Sequence, residues 1–175
     1  MGNLKLFGRD DGRKQSKSEP AKQYAPGTQL PYDPELPDRL RQQHRNILDT
    51  LENAVAAALD RKYRHAENLL LEFQQNYRNH RFEKNQRFIP YLNHCLANDG
   101  GHSELIIKIS SATRRLDQRV ITTVKKHEEK GVADESRDEF VQELQQVHVD
   151  LKKHLREEDE FIYPMYKPPE TYAYT

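Results

Sequence analysis

Four side chains of metal-binding type interrupt the apolar faces of a helical sequence pattern. His44, His80 and His154 each fall on a stripe of apolar residues at helical spacing, and Glu158 follows His154 by one helical turn. Burying an imidazole or a carboxylate without a partner is costly, so these candidate ligands need either hydrogen bonds or an ion. Inward imidazole and carboxylate groups build non-heme iron and manganese sites in helical bundles, and this donor set suits iron. The alternative for each histidine is a core residue hydrogen-bonded to a neighbour.

Four amphipathic stripes must position these side chains. The first begins after Pro37, short breaks separate the four stripes, and Pro164 ends the last one. Amphipathic helices joined by short breaks bury their apolar faces most economically by packing side by side. The pattern therefore predicts an all-α fold, an antiparallel up-and-down four-helix bundle. The stripes cover residues 40–59, 66–92, 105–124 and 140–161.

Distance from the breaks between helices predicts the height of each histidine in the bundle. His44 and His80 lie 17 and 19 residues from the break near residue 61, which places them at one level. His154 lies 22 residues after the break near residue 132, so its partner on the third helix should fall near residue 110. Residues 109–112 carry no metal ligand, and His102 lies roughly 12 Å away along the axis.

The two halves of the pattern look like divergent copies of one helical unit. His80 is followed ten residues later by Pro90, and His154 is followed ten residues later by Pro164. Across residues 35–166 the chain resembles the hemerythrin-like, or hemerythrin HHE cation-binding, family. That family repeats a helix bearing His, then a helix bearing His-x-x-x-Glu that ends in an aromatic residue, a proline, and an aromatic residue or leucine.

The second hairpin keeps this family pattern well, with His154, Glu158 and Pro164 in place. In the first hairpin, His44 and His80 match. The resemblance implies a carboxylate-bridged di-iron site in the bundle core. Sites of this kind serve relatives for oxygen binding, iron handling, or the sensing of oxygen and nitric oxide.

Lys84 departs from the family pattern, because it stands where the first hairpin should carry its carboxylate. Glu83 beside it is turned about 100° off the stripe. An inward ammonium repels metal ions, so a di-iron centre should be weakened or absent. The cofactor that we expect is non-heme iron, as one or two ions, unless the site is metal-free. If Lys84 turns outward, three or four of the candidate ligands still bind one ion. If Lys84 turns inward, it pairs with Glu158 in the metal's place and the bundle is metal-free.

Two functions from different classes follow from these alternatives. The first is a hemerythrin-like metal-binding protein whose iron responds to oxygen, nitric oxide or redox state in a regulatory role. The second is a metal-free regulatory bundle that acts by protein–protein interaction, through an exposed helix face or a terminal segment. The sequence has no glycine-rich phosphate loop, nucleophile elbow or zinc motif, so we expect no enzymatic activity.

Segments on either side of the bundle differ from it in composition. Residues 1–33 are rich in glycine, proline and cations and have little to bury, which predicts a disordered basic arm. Residues 34–166 form the predicted bundle. Residues 167–175 cannot continue a helix and form a short tail, which could lie against the bundle through its tyrosines.

Composition limits the partners and the compartment of the chain. Lys and Arg balance Asp and Glu at 28 each, so no global field favours nucleic acid. No apolar run is long enough for a membrane helix, which argues against a membrane partner. The single cysteine, Cys95, fits a reducing compartment, so we expect a cytoplasmic protein. Polar neighbours place four further histidines on solvated faces: His65, His94, His127 and His148.

Overall fold

The computed structural model of the chain describes residues 23–97 and 100–172, with the backbone alone at residues 100–103, 105, 109 and 110. These residues form an all-helical bundle, and no strand occurs within them. No helix of the described part is long and apolar enough to cross a lipid bilayer. The antiparallel up-and-down order of the helices stays a prediction from the short loops. The α-helices are α1 Leu36–Leu59, α2 Tyr63–Glu83, α3 Ile89–Cys95, α4 Gly100–Lys130 and α5 Arg137–Glu157.

Short backbone motifs end the helices where the sequence breaks its periodicity. The amide of Lys62 donates to the carbonyl oxygen of Ala57, and Arg61 adopts a positive φ of 60° to make the turn into α2. At the end of α4, Gly131 takes φ 69° and donates its amide to the carbonyl oxygen of His127. A Cβ at Gly131 would also lie only 3.3 Å from Glu67 Oε1. Both the positive φ and this close approach therefore favour glycine in the turn.

Each half of the bundle contains a π-helical turn at the same place in the repeat. The turns cover Lys84–Phe88 and Glu158–Ile162, so each begins four residues after a buried histidine. Their closing bonds run from the Ile89 amide to the Lys84 carbonyl and from the Tyr163 amide to the Glu158 carbonyl. A proline follows each turn two residues on and lacks the amide that a regular helix would use there. The wider turn relieves that conflict, and the repeat seen in the sequence extends to the backbone.

The predicted second helix does continue past Pro90, because α2, the π-turn and α3 are consecutive and end only at Cys95. The start of the third helix was predicted too late. The apolar stripe predicts this helix from residue 105, but α4 already begins at Gly100. Glycine weakens a helix interior by only about 1 kcal/mol, which an end position followed by a long amphipathic helix can offset.

Two apolar clusters fill the bundle at different heights. The larger cluster joins α1, α2, α4 and α5 through residues such as Ile47, Phe73 and Leu144. The aromatic cluster lies at the other end and centres on residues such as Phe88 and Tyr163. Between them, every long helix contributes polar residues to what we call the polar layer: His44, His80, Lys84, Thr113, His154 and Glu158.

The segment before α1 packs on the aromatic cluster. Residues 1–22 of the predicted disordered arm lie outside the described residues, but in residues 23–33 Ala25 is only 1 % exposed and Tyr24 pairs with Pro31. Asp33 anchors this segment through ion pairs with Arg39 at 2.7 Å and with Arg87 at 3.0 Å. We call residues 23–33 the strap. Apolar periodicity predicts helices and strands, so it could not predict the packing of this non-repetitive segment.

The tail also contacts the bundle through a tyrosine. Pro169–Tyr172 forms a 3-10 turn, and the Tyr172 hydroxyl donates to the carbonyl oxygen of Met165. The same hydroxyl accepts a hydrogen bond from the Lys167 amide at 2.9 Å. Residues 173–175 lie outside the described part of the chain.

Candidate metal centre

Three candidate ligands of the polar layer face one another in a buried space. His44, His80 and Glu158 each offer a ligand atom, and the three atoms lie within 4.8 Å of one another. All three residues are at most 3 % exposed. The two imidazole rings meet edge to face, with centroids 4.7 Å apart. Because α1, α2 and the π-turn after α5 each supply one of them, the fold rather than local sequence assembles the set.

The ring of His80 is held with one nitrogen free to bind an ion. Its Nδ1 lies 3.1 Å from Gln43 Oε1, an oxygen that can only accept, so Nδ1 carries the hydrogen. The orientation of that amide is fixed in turn, because Gln43 Nε2 donates to Glu83 Oε2 at 2.7 Å. His80 Nε2 is therefore the unprotonated nitrogen, and it is buried without a hydrogen-bond partner among the described residues. Burial, aided by the charges of Lys84 and His44, holds the pKa of His80 well below its usual range.

Ion pairs carry this support outward to the segment before α1. The Glu83 carboxylate that fixes Gln43 also accepts from Arg39 NH2 at 3.1 Å. Arg39 NH2 in turn contacts Asp33 Oδ2 at 2.7 Å. Glu83 was noted in the sequence only as a residue turned off the stripe, and its role depends on Gln43, which comes from another helix.

Glu158 is the most heavily engaged carboxylate of the layer. Its Oε1 lies 2.5 Å from Lys84 Nζ and 2.9 Å from His154 Nε2. Its Oε2 lies 3.5 Å from the hydroxyl of Tyr163 and 3.6 Å from His44 Nε2. Burial alone would raise the pKa of Glu158, but the charge of Lys84 and the bonds to His154 and His44 hold it well below 4.5. The carboxylate is ionised at neutral pH.

Lys84 turns inward. Its side chain is buried, and its ammonium contacts Glu158, so the alternative in which Lys84 reaches out to solvent is wrong. The reason is the π-turn, which starts at Lys84 just as the second π-turn starts at Glu158. The two side chains therefore occupy equivalent positions in the two halves and meet across the bundle.

His44 and Tyr163 form the side of the layer next to the aromatic cluster. The Tyr163 hydroxyl lies 2.9 Å from His44 Nε2, and the two rings stack with centroids 5.3 Å apart. His44 Nδ1 lies 3.2 Å from Asp159 Oδ1 but outside hydrogen-bond geometry, and both atoms are buried without a hydrogen-bond partner in the described residues. Burial alone would lower the pKa of His44, but Asp159 and Glu158 raise it above 6.5.

His154 lies in the polar layer but stands beside the three-residue set. Its Nε2 is within 2.9 Å of Glu158 Oε1 and also 2.9 Å from Thr113 Oγ1. This nitrogen is already engaged by two oxygens, whereas His80 Nε2 is free. Of the four candidate ligands, the structure therefore brings three together with donor atoms converging and places His154 as their neighbour.

The third long helix meets His154 one turn later than the sequence predicted. Thr113 stands at that level rather than residue 110, because α4 ends at Lys130 and α5 begins at Arg137, and Thr113 and His154 each lie 17 residues from those ends. One turn further on, Asp117 is buried and engaged at both oxygens, by the Tyr77 hydroxyl at 2.5 Å and by Arg81 NH2 at 2.8 Å. Asp117 was missed, although an aspartate next to the apolar stripe of α4 is the sequence signal that could have marked it.

The histidines outside the layer follow the sequence expectation with one exception. His65 and His94 are exposed and His148 is half-buried. The placement of His127 on a solvated face is wrong, because its side chain is 1 % exposed, packs edge to face on Phe140 and contacts Glu143 Oε2 at 2.8 Å. The apolar stripe of α4 continues through this position, and only the polar neighbours in sequence suggested otherwise.

Comparison with known families agrees with this geometry. Residues 35–166 match the model of the hemerythrin HHE cation binding domain, which is most of the chain. The chain belongs to this family. No curated protein and no solved structure matches the chain. Membership of the hemerythrin family implies a capacity to bind a metal cation, and His44, His80 and Glu158 form a cluster that could hold one.

The donor set fits one metal ion better than the pair that the family pattern implies. One ion would find the free Nε2 of His80, the imidazole of His44 and the ionised Glu158. A second ion would need another carboxylate, and Lys84 occupies the position where the repeat should supply it. Within the described side chains, α4 supplies no histidine to this layer, only Thr113.

Proposed function

We propose that this hemerythrin-family chain binds one non-heme iron ion through His44, His80 and Glu158, with His154 as a neighbouring donor. We propose further that it uses this iron to sense oxygen, nitric oxide or redox state, and that it is not an enzyme. The observation that carries the proposal is the buried Nε2 of His80, which has its tautomer fixed by Gln43 and has no hydrogen-bond partner among the described residues. A buried lone pair held in this way costs free energy unless it has a ligand.

Iron would supply reversible oxidation and an affinity for diatomic molecules; the chain supplies the binding and the environment. The larger cluster and the aromatic cluster cover the polar layer on both sides and limit access by water. A cavity of about 180 Å³ reaches Lys84 and Glu158 and is large enough to admit a small molecule. The Tyr163 hydroxyl orients His44, and Gln43 orients His80.

The inward lysine suggests how occupancy of this site could be signalled. Lys84 and a metal ion compete for the same carboxylate, because the ammonium already lies 2.5 Å from Glu158 Oε1. Binding of an ion therefore requires the ammonium to move away from Glu158, and loss of the ion lets it return. A charged group that changes partner inside a bundle is a local switch of the kind that regulatory proteins use.

A second candidate function has its own observation in support. The Lys84–Glu158 pair is short, buried and further bonded to His154, so it satisfies the carboxylate without an ion. In this case the protein is a metal-free bundle that regulates a protein partner through an exposed helix face. Apolar side chains on such faces include Phe82, Ile107 and Val149, each at least 60 % exposed.

Metal analysis of the purified protein separates the two functions. After expression in iron-supplemented medium, we expect about one iron per chain by elemental analysis. The variant His80→Ala should lose it, while His94→Ala, an exposed histidine on α3, should keep it. Iron retained by His80→Ala would contradict the ligand set, and two irons per chain would contradict a single-ion site. A fully helical wild-type protein without iron would favour the metal-free regulator.

A further inference from the structure

A cavity of about 180 Å³ lies beside the metal cluster, between the end of α2 and α4. Three cations line it, Arg81, Lys84 and Arg114, against two carboxylates, Asp117 and Glu158. Three positive and two negative groups leave one excess positive charge. The rest of the wall is apolar or neutral, so little else screens these charges.

Both carboxylates of the cavity are already paired. Asp117 accepts from the Tyr77 hydroxyl at one oxygen and from Arg81 at the other. Glu158 accepts from Lys84 and His154 at Oε1 and has Tyr163 and His44 near Oε2. Each carboxylate thus already has a cationic partner, and neither is paired with Arg114.

The cations, in contrast, keep unused donors. Arg81 Nε is buried and has no hydrogen-bond partner among the described residues, although the same guanidinium binds Asp117 through NH2. Arg114 is exposed at the rim and forms no ion pair with any residue that the structure describes. Arginine presents several N–H donors in one plane, which match the oxygens of a planar anion.

We propose that this cavity binds a small planar oxyanion with a single negative charge, such as formate, bicarbonate or nitrate. The cavity lining has one excess positive charge, so an anion with one negative charge would neutralise it. A water molecule takes about 30 Å³ of liquid volume, so the cavity holds an anion of a few heavy atoms. It is too small for most metabolites and cofactors, whose pockets run from about 300 Å³ upward. The site needs no metal, because its donors are Arg81 and Arg114, and the charge count applies to the metal-free protein, in which Lys84 pairs with Glu158.

Titration of metal-free protein with sodium formate tests this site directly. Carbon-13 NMR of labelled formate at low ionic strength should show saturable binding of one formate per chain. Nitrate and bicarbonate should compete with formate for this site, whereas chloride at the same concentration should displace formate only weakly. Losing a charge-assisted hydrogen bond should weaken formate binding about tenfold in Arg114→Gln. The matched control Arg115→Gln changes the neighbouring exposed arginine, which does not line the cavity, and should bind formate as the wild type does.

Each outcome of this experiment is decisive. Absence of formate binding to the folded wild-type protein would overturn the proposal, as would an equal loss in Arg114→Gln and Arg115→Gln, which would show only diffuse attraction. Circular dichroism checks that both variants keep their helices. The iron content of the same variants is measured separately by elemental analysis. A loss of formate binding can therefore be distinguished from a loss of iron binding.

Discussion

The two halves of the bundle share one backbone plan but carry opposite charges at one equivalent position. In each half, a buried histidine is followed four residues later by the first residue of a π-turn, and then by a proline. The first half places Lys84 there and the second places Glu158. The repeat would bring two carboxylates together around metal ions, but the exchange at residue 84 turns it into an ion pair at 2.5 Å. A single substitution can thus change what a symmetric site holds while the helices stay in place.

The largest effect should come from breaking the pair on its acidic side. Glu158→Ala leaves the Lys84 ammonium buried without its partner, which should lower the free energy of unfolding by about 3–5 kcal/mol. Urea denaturation followed by circular dichroism measures the change. The double variant Lys84→Met with Glu158→Leu serves as control and should recover most of the loss, since it removes both charges. A loss below about 1 kcal/mol in Glu158→Ala would show that the pair is not desolvated.

Acid should weaken the same contact without a mutation. The pKa of Glu158 is held well below 4.5 in the folded state, so ionised Glu158 contributes stability above about pH 4.5. This contribution should be lost as pH falls through the folded-state pKa. Urea denaturation at a series of pH values should show a smaller acid loss in Glu158→Gln than in the wild type. Identical pH profiles would mean that other carboxylates account for the acid sensitivity.

Making the two halves alike should restore the metal chemistry of the repeat. In Lys84→Glu a repelling cation becomes a second carboxylate, so metal affinity should rise at least about hundredfold and a second ion should bind. Isothermal titration calorimetry with Fe²⁺ or Mn²⁺ under anaerobic conditions measures both affinity and stoichiometry. Lys108→Glu, an exposed lysine on α4, controls for a general gain of negative charge. Unchanged affinity in Lys84→Glu would show that residue 84 does not face the ion.

A smaller effect should follow from loosening the first half alone. Gln43→Leu removes the acceptor that fixes His80 with its Nε2 free, and loss of such support usually lowers metal affinity by about 10–100-fold. The same titration measures it. The neighbouring Gln42→Leu, which contacts only exposed groups on its own helix, should leave affinity unchanged. Equal metal affinities in the two variants would show that Gln43 does not support metal binding by His80.

Much of the helical fold and most of the centre could be predicted from the sequence. Apolar periodicity located the helices, and the inward histidines with Glu158 were found because metal-binding groups stood out against that pattern. The inward Lys84 was predicted as one of two alternatives, and burial decided it.

The remaining features depend on tertiary contacts. The support from Gln43 to His80 joins two helices, and the level of Thr113 depends on where α4 ends and α5 begins. The strap before α1 is held by Asp33, whose partners lie on other elements. His127 was misplaced because its sequence neighbours are polar although its own direction is inward. Local patterns carry none of this information.

Hydrogen bonds and ion pairs connect Asp33, in the segment before α1, through Arg39, Glu83 and Gln43 to His80. We expect this connection to couple the segment to metal binding by His44, His80 and Glu158. Coupling of this kind is reciprocal, so a partner that pulls Asp33 away should weaken metal binding by the same factor by which a bound metal tightens the strap. The segment before α1 and the ion should therefore stabilise each other. Limited proteolysis with and without metal measures it, and cleavage within residues 23–33 at the same rate in both states would refute the coupling.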